Sequence, residues 1–298
     1  MEKIYLSDSG PKVSPAIYGF YRWNEVSGDA AQTMEKIVNL CLELGINTFD
    51  HADMYGNYQC EELFGKLINR KSFKREDIVL FSKCGLVSPN AEEPEVRIKH
   101  YNTSAAHILK SVDNSLRKLR TDYIDIFLLN HLDPLSNVEE TALALQRLKE
   151  SGKVKNIGVM NFTVFQHQLL ASFLLRTPIV TNHIELNLLN TSALDNGQLD
   201  YIKQRYMRPL ASAPLAAGRI ANGTDAQAVK VRSTLEVLGK KYNADIESLA
   251  VAWLVKLGAL PLIGTINEQR IRNIANAFSI DLDHQDWYEL YAASRGEL

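Results

Sequence analysis

The sequence predicts an α/β protein built as a single (β/α)8 barrel of the TIM-barrel class, with a short N-terminal β-hairpin and extra C-terminal helices. Three observations carry this. Short apolar runs alternate with helix-patterned segments eight times within 298 residues. The runs are near-continuously apolar, as in parallel strands covered on both faces. No linker-like or low-complexity stretch divides the chain, so residues 1–298 read as one domain. Eight strand–helix units in this length match such a barrel. A doubly wound sheet would call for GxGxxG at the first strand–helix turn, and the motif is missing there.

In order, Met1 to Ser14 holds short alternating pieces around Ser9-Gly10, read as a hairpin lid. Strand-like runs follow at Ala16–Phe20, Ile46–Phe49, Asp77–Lys83, Tyr123–Leu129, Val154–Val159, Ile179–Ile184, Arg208–Ser212 and Leu260–Gly264. Helical spacing covers Ala31–Leu44, Glu61–Ile68, a segment capped by Asn102-Thr103-Ser104, and Val138–Ser151, which stops at Gly152. It returns at Phe165–Leu175, Leu199–Tyr206, Ala226–Tyr242, Asp245–Leu257, Glu268–Phe278 and Gln285–Ser294.

Composition narrows the function classes. Hydrophobic content of 46%, 23% charged residues, a net charge of -2 and a pI near 6.4 describe an ordinary globular chain. They argue against partners held by general electrostatic attraction, so neither nucleic acid nor a membrane surface is expected. No run approaches the roughly 18–20 apolar residues that span a bilayer. The N-terminus lacks a basic-then-apolar signal pattern, and Cys41, Cys60 and Cys84 show neither CxxC nor metal spacing. A reduced, cytoplasmic setting without a bound metal is expected.

In a barrel of this class, functional groups gather at the C-terminal ends of the strands. Those ends supply Asp50 and Tyr55 after the second strand, Lys83 after the third and His131 after the fourth. Taken singly, each has an ordinary structural role: a loop cap, a packed phenol, a snorkelling lysine, a satisfied histidine. Together they make a proton donor. A buried ammonium favours phenolate and would lower the tyrosine from about 10, a carboxylate would keep the lysine charged, and the histidine would orient a carbonyl oxygen.

The stretch Gly45 to Gly56 (GINTFDHADMYG), the strand ending in Lys83, Leu128-Leu129-Asn130-His131 and Gly158-Val159-Met160-Asn161-Phe162 resemble the aldo-keto reductase superfamily. Pro261 to Thr265 and Asn267 to Ile271 complete the resemblance, which is strongest to its bacterial oxidoreductase branch and runs over almost the whole chain. It implies Tyr55 as general acid, Lys83 as the residue that lowers its pKa, Asp50 as the lysine's partner, and His131 as the group orienting the carbonyl. It also implies a monomer that uses NADP(H) to reduce the aldehyde or ketone of a small-molecule carbonyl substrate.

By the same resemblance Asn161 and His183 would face the nicotinamide carboxamide, and Ser212 and Leu215 the pyrophosphate. Gly264, Thr265 and Arg270 would lie at the adenosine 2′-phosphate. Four positions depart from the family pattern: Met160 where Ser is common, His183 for Gln, Ala211 for the stacking aromatic, and Gly264 for Lys. Tyr21, Arg22, Trp23, Met54, Leu86 and Leu132 are candidate walls of a substrate pocket. Leu86 to Tyr101, with Pro89, Asn90, Glu92, Glu93 and Pro94, is read as a mobile loop beside it. Two other functions fit parts of the pattern. Lys83 could form a Schiff base in a lyase, although Asp50 would hold it charged. A nicotinamide-binding sensor with little turnover would tolerate the altered contacts.

Overall fold

The eight runs pair in chain order and close on themselves. In the computed structural model, which describes residues 1–23, 26, 28–68, 73–90 and 93–296, the strands are β1 (Ile17–Gly19), β2 (Thr48–Asp50), β3 (Val79–Cys84) and β4 (Ile124–Asn130), followed by β5 (Val154–Met160), β6 (Ile179–Glu185), β7 (Leu210–Ser212) and β8 (Leu260–Ile263). All neighbours are parallel, and β8 pairs with β1 to complete the barrel. Closure leaves no strand edge exposed, and the register at each pair sets which side chains share a level inside. Here Gly19, Asp50 and Phe81 sit opposite one another across β1, β2 and β3.

Helices begin where polar caps stand. Asp29 caps Ala30–Glu43, Ser104 caps Ala105–Leu119, Asn137 caps Val138–Glu150 and Asp245 caps Ile246–Lys256, each accepting backbone N–H bonds of the first turn. Thr163 and Gln166 form a capping box on Val164–Phe173. The segment expected to run from Glu61 to Ile68 is helical only over Cys60–Gly65, because the chain turns at Lys66, yet Leu67 and Ile68 remain buried. The C-terminal helix His284–Arg295 lies against Ala226–Tyr242 and is locked by stacked Trp253 and Trp287, 4.9 Å apart, each indole N–H donating to the other's carbonyl. Among the described residues no helix is long and apolar enough to cross a membrane.

The N-terminal hairpin forms, with Ile4–Tyr5 antiparallel to Lys12–Val13, but it is no lid over the strand ends. Leu6 and Val13 are fully buried against Ile17, Phe81, Ile126, Val180, Leu210 and Leu260. Those residues belong to the lower half of the barrel, so the hairpin plugs its floor. An open barrel bottom would wet these side chains, and the hairpin's two apolar groups cover them.

Close approach of two helices fixes the wall beside β3. A Cβ added at Gly65 would overlap the Lys118 carbonyl oxygen, which backbone cannot yield cheaply. Gly65→Ala is expected to destabilise the fold by about 1–3 kcal/mol, read as a lower midpoint in urea unfolding; an unchanged midpoint would contradict this packing.

Candidate active site

The site grows from two strand ends. Asp50 closes β2 and Lys83 sits on β3 two residues beyond Phe81, so both side chains turn into the barrel. Neither side chain is exposed at all. The Lys83 ammonium donates to both Asp50 oxygens at 2.6 and 2.7 Å and to the His51 carbonyl at 2.8 Å. Three acceptors therefore match its three N–H groups. Burial raises the Asp50 pKa and lowers that of Lys83, and each partner's charge opposes the shift of the other.

Beyond β2 the chain bends back. The Asp53 N–H donates to the Lys83 carbonyl at 3.0 Å, and Gly56, Asn57 and Tyr58 follow Tyr55 in the left-handed region with φ of 58°, 53° and 67°. A tyrosine resists that conformation. Tyr58 is held in it by its hydroxyl, which accepts from Ser88 N–H at 3.0 Å, and by Lys118, which donates to its carbonyl at 2.8 Å. The turn leaves the Tyr55 ring 4.8 Å from the Lys83 ammonium and 6.4 Å from the Tyr21 ring. Burial, then the Asp50 charge, push the Tyr55 pKa well above the ordinary value. The depression expected from Lys83 is thus reversed, because burial and the Asp50 charge both disfavour the phenolate.

His131 and Asn161 leave β4 and β5 in the same way. Both are left-handed, φ 65° and 59°, and each hangs its N–H on the next strand, on the Met160 carbonyl at 2.9 Å and the His183 carbonyl at 2.8 Å. Between them stands Asn130, whose Oδ1 lies 2.8 Å from His131 Nδ1 and accepts from the Asn161 amide at 3.4 Å. Tyr101 stacks on the His131 ring at 4.7 Å, and burial lowers the histidine's pKa. Neither Asn130 nor Tyr101 stands out in the sequence; Asn130 sits in a legible motif, whereas Tyr101 is 30 positions from its partner. The segment Leu86 to Tyr101 is pinned at its ends by an antiparallel ribbon, Leu86–Val87 on His100–Tyr101. Glu92 lies outside the described residues.

A groove of about 390 Å³ runs past the ends of β7 and β8, lined by Tyr21, Arg22, Leu215, Gly264, Thr265 and Arg270. The Tyr21 ring fills the space a side chain at Gly264 would need. Arg270 is already engaged, with Nε donating to Glu247 at 2.7 Å. Ser212 Oγ donates to the Ile184 carbonyl at 3.1 Å. His183 is fully buried with neither ring nitrogen hydrogen-bonded, and burial, with the charge of Lys83, holds it neutral. Met54 and Leu86 stay partly open, whereas Trp23 packs on Phe20 and Leu132 joins the core around β4 and β5. The structure thus gathers the Asp50–Lys83–Tyr55 group and the groove residues, and turns Trp23 and Leu132 away.

Barrel and strand-end cluster together define a (β/α)8 protein with a buried ion pair and a phenol at its mouth. The Aldo/keto reductase family model matches residues 17–295, and the chain belongs to that family. It is 39% identical to the uncharacterized oxidoreductase YcsN of Bacillus subtilis, over 99% of both chains. It is 37% identical to a 6-dehydroglucose reductase of Agrobacterium fabrum, over 100% of this chain and 99% of the relative. Among solved structures, the thermostable aldo-keto reductase Tm1743 superposes with a TM-score of 0.84 at 24% identity, covering 98% of this chain and 100% of that one. A glycerol dehydrogenase from Gluconobacter oxydans gives 0.86 at 21% identity, covering 99% of this chain and 97% of that one.

Removing one member of a buried ion pair strands the other. Asp50→Asn and Lys83→Met are each expected to cost about 3–5 kcal/mol of stability, with much of the loss recovered in the double variant. Denaturant unfolding of the three proteins checks this; losses that simply add would contradict it.

Proposed function

We propose that this chain is an NADP(H)-dependent reductase of aldehyde or ketone carbonyls, with residues 1–298 acting as one domain. The observation that carries the reading is the Tyr55 hydroxyl beside a fully buried Asp50–Lys83 pair at the mouth of the barrel. The phenol holds its proton at neutral pH, and giving it to the carbonyl oxygen requires that the charge left on Tyr55 be stabilised. As negative charge develops on Tyr55, the ammonium beneath its ring stabilises it, although no N–H of Lys83 points at the oxygen. His131 orients the substrate carbonyl from its place at the mouth, its ring held by Asn130, whose Oδ1 lies 2.8 Å from Nδ1, and by stacking on Tyr101.

The groove is where part of a nicotinamide dinucleotide would lie. Arg22 and Arg270 bring positive charge to one end, and the unpartnered ring nitrogens of His183 lie nearer Lys83. Bound there, the cofactor supplies the hydride. Asn161 and His183 would hold its carboxamide, Ser212 and Leu215 would flank the pyrophosphate, and Thr265 and Arg270 would hold the 2′-phosphate, with Gly264 leaving room for Tyr21. Tyr21, Met54 and Leu86 would wall the substrate. The relative named 6-dehydroglucose reductase supports an oxidised sugar as one substrate to try. The Schiff-base reading is disfavoured by the three acceptors around Lys83, which engage all of its N–H groups and leave no lone pair directed at a substrate.

Following NADPH absorbance with a reactive aromatic aldehyde and with 6-dehydroglucose tests the proposal. Tyr55→Phe is expected to cut turnover by a factor on the order of 10²–10⁴ while NADPH still quenches protein fluorescence. NADPH binding without turnover in the native protein would defeat it. Arg270→Ala is expected to weaken NADPH binding by a factor on the order of 10–100 and to leave NADH nearly unchanged. An equal loss for both cofactors would place the 2′-phosphate elsewhere.

A further inference from the structure

The turn that follows β1 reaches across the end of β8. A Cβ at Gly264 would stand 2.1 Å from Cε1 of Tyr21, so no side chain fits at position 264 while that ring is in place. The ring in turn carries its neighbour: the Arg22 guanidinium lies over it, 5.4 Å from the ring centre. Held there, Arg22 borders two hollows at once. One is the groove past β7 and β8, and the other continues it, lined by Gly264, Thr265, Ile266, Asn267 and Arg270. A ligand that runs from the first hollow into the second passes Arg22.

The charges around the second hollow do not balance. Its charged lining consists of two guanidinium groups, Arg22 and Arg270. Arg270 is already neutralised, because Nε and Nη2 both meet Glu247 Oε1, at 2.7 and 2.6 Å. Its other N–H groups remain able to orient an anion, but the arginine and its partner together bring no net charge. Glu268, at the start of the next helix, is matched by Lys36 at 2.8 Å. Arg22 has neither an ion pair nor a hydrogen bond among the described residues. Its charge is therefore the unopposed one at this end of the groove. Beside it the Thr265 hydroxyl accepts from the Asn267 N–H at 3.2 Å, which leaves the O–H to donate.

We propose that Arg22 makes this chain prefer a dinucleotide bearing a 2′-phosphate, its guanidinium supplying the net positive charge that the Arg270–Glu247 pair does not. The assignment rests on the cofactor reading above and names the residue that decides between its two forms. A phosphate monoester brings nearly two negative charges at neutral pH, which a neutral arginine–glutamate pair leaves unbalanced. A guanidinium meets two phosphate oxygens at once, and stacking on Tyr21 fixes its plane before the phosphate arrives. The glycine at 264 belongs to the same device. A larger residue would displace Tyr21, and with it the surface on which Arg22 rests.

Fluorescence titration of the native chain, Arg22→Gln and Arg22→Lys with NADPH, NADH, 2′,5′-ADP and 5′-AMP tests this. Arg22→Gln is expected to weaken NADPH and 2′,5′-ADP by a factor on the order of 10–100 and to leave NADH and 5′-AMP unchanged, which also shows that the variant is folded. Arg22→Lys should recover part of the loss, since it restores the charge without the fork. A native preference for NADPH that survives in Arg22→Gln overturns the assignment while leaving the cofactor reading intact. So does a loss shared by NADH, which would put Arg22 on the pyrophosphate, or an equal loss in Arg22→Lys, which would remove charge as the cause. A native chain that binds NADPH and NADH equally fails at the earlier step: it removes the NADP(H) reading and the role of Arg22 with it.

Discussion

A lysine ammonium withdrawn completely from water must be given acceptors and a counter-charge, or the fold will not hold it. Lys83 receives both from a single neighbouring segment, the Asp50 carboxylate and the next residue's carbonyl. This demand explains much of the local architecture. β2 and β3 must pair in the one register that sets Asp50 opposite Phe81, since a slip of one residue would turn Lys83 outward among the helices. The chain after β2 must bend sharply to return the Asp53 N–H to the Lys83 carbonyl. That bend brings Tyr55 over the pair.

The remaining strand ends follow a common plan. His131 and Asn161 adopt left-handed backbone as soon as their strands end, and each borrows the carbonyl of the following strand. Such residues cost energy in isolation, so the neighbouring strand has to hold them in place. Asn130 then ties the two side chains into one unit. On the far side of the mouth Tyr21 occupies the volume over Gly264, and Glu247 orients Arg270. The groove is therefore shaped by side chains that are themselves fixed before anything enters it.

Much of the fold was legible because the local signals agree. The eight apolar runs became the eight strands with ends shifted by a few residues, and the helix Ala226–Tyr242 has the bounds its spacing implied. Polar caps such as Ser104 and Asp245 marked helix starts because orphan N–H groups need acceptors wherever a helix begins. Asp50, Lys83 and His131 could be read as rim residues since a parallel barrel presents every strand end on the same side. The hairpin's place could not be read. Alternation shows that two strands pair but says nothing of which barrel end their apolar faces cover.

The sequence by itself determined the order and type of the elements, the barrel class and the candidate residues at its mouth. These depend on short-range periodicity and on a topology with few alternatives. Tertiary structure alone decided how those residues are used. It buried Tyr55 beside the Asp50 charge and so raised its pKa where a depressed one was expected. It stacked Tyr101 on His131 and gave Arg270 a carboxylate partner. The contacts of Lys83, His131 and Arg270 join residues 23 to 33 positions apart in the chain. Hydrogen-bond valence and burial are settled only when distant segments meet, so no local pattern encodes them.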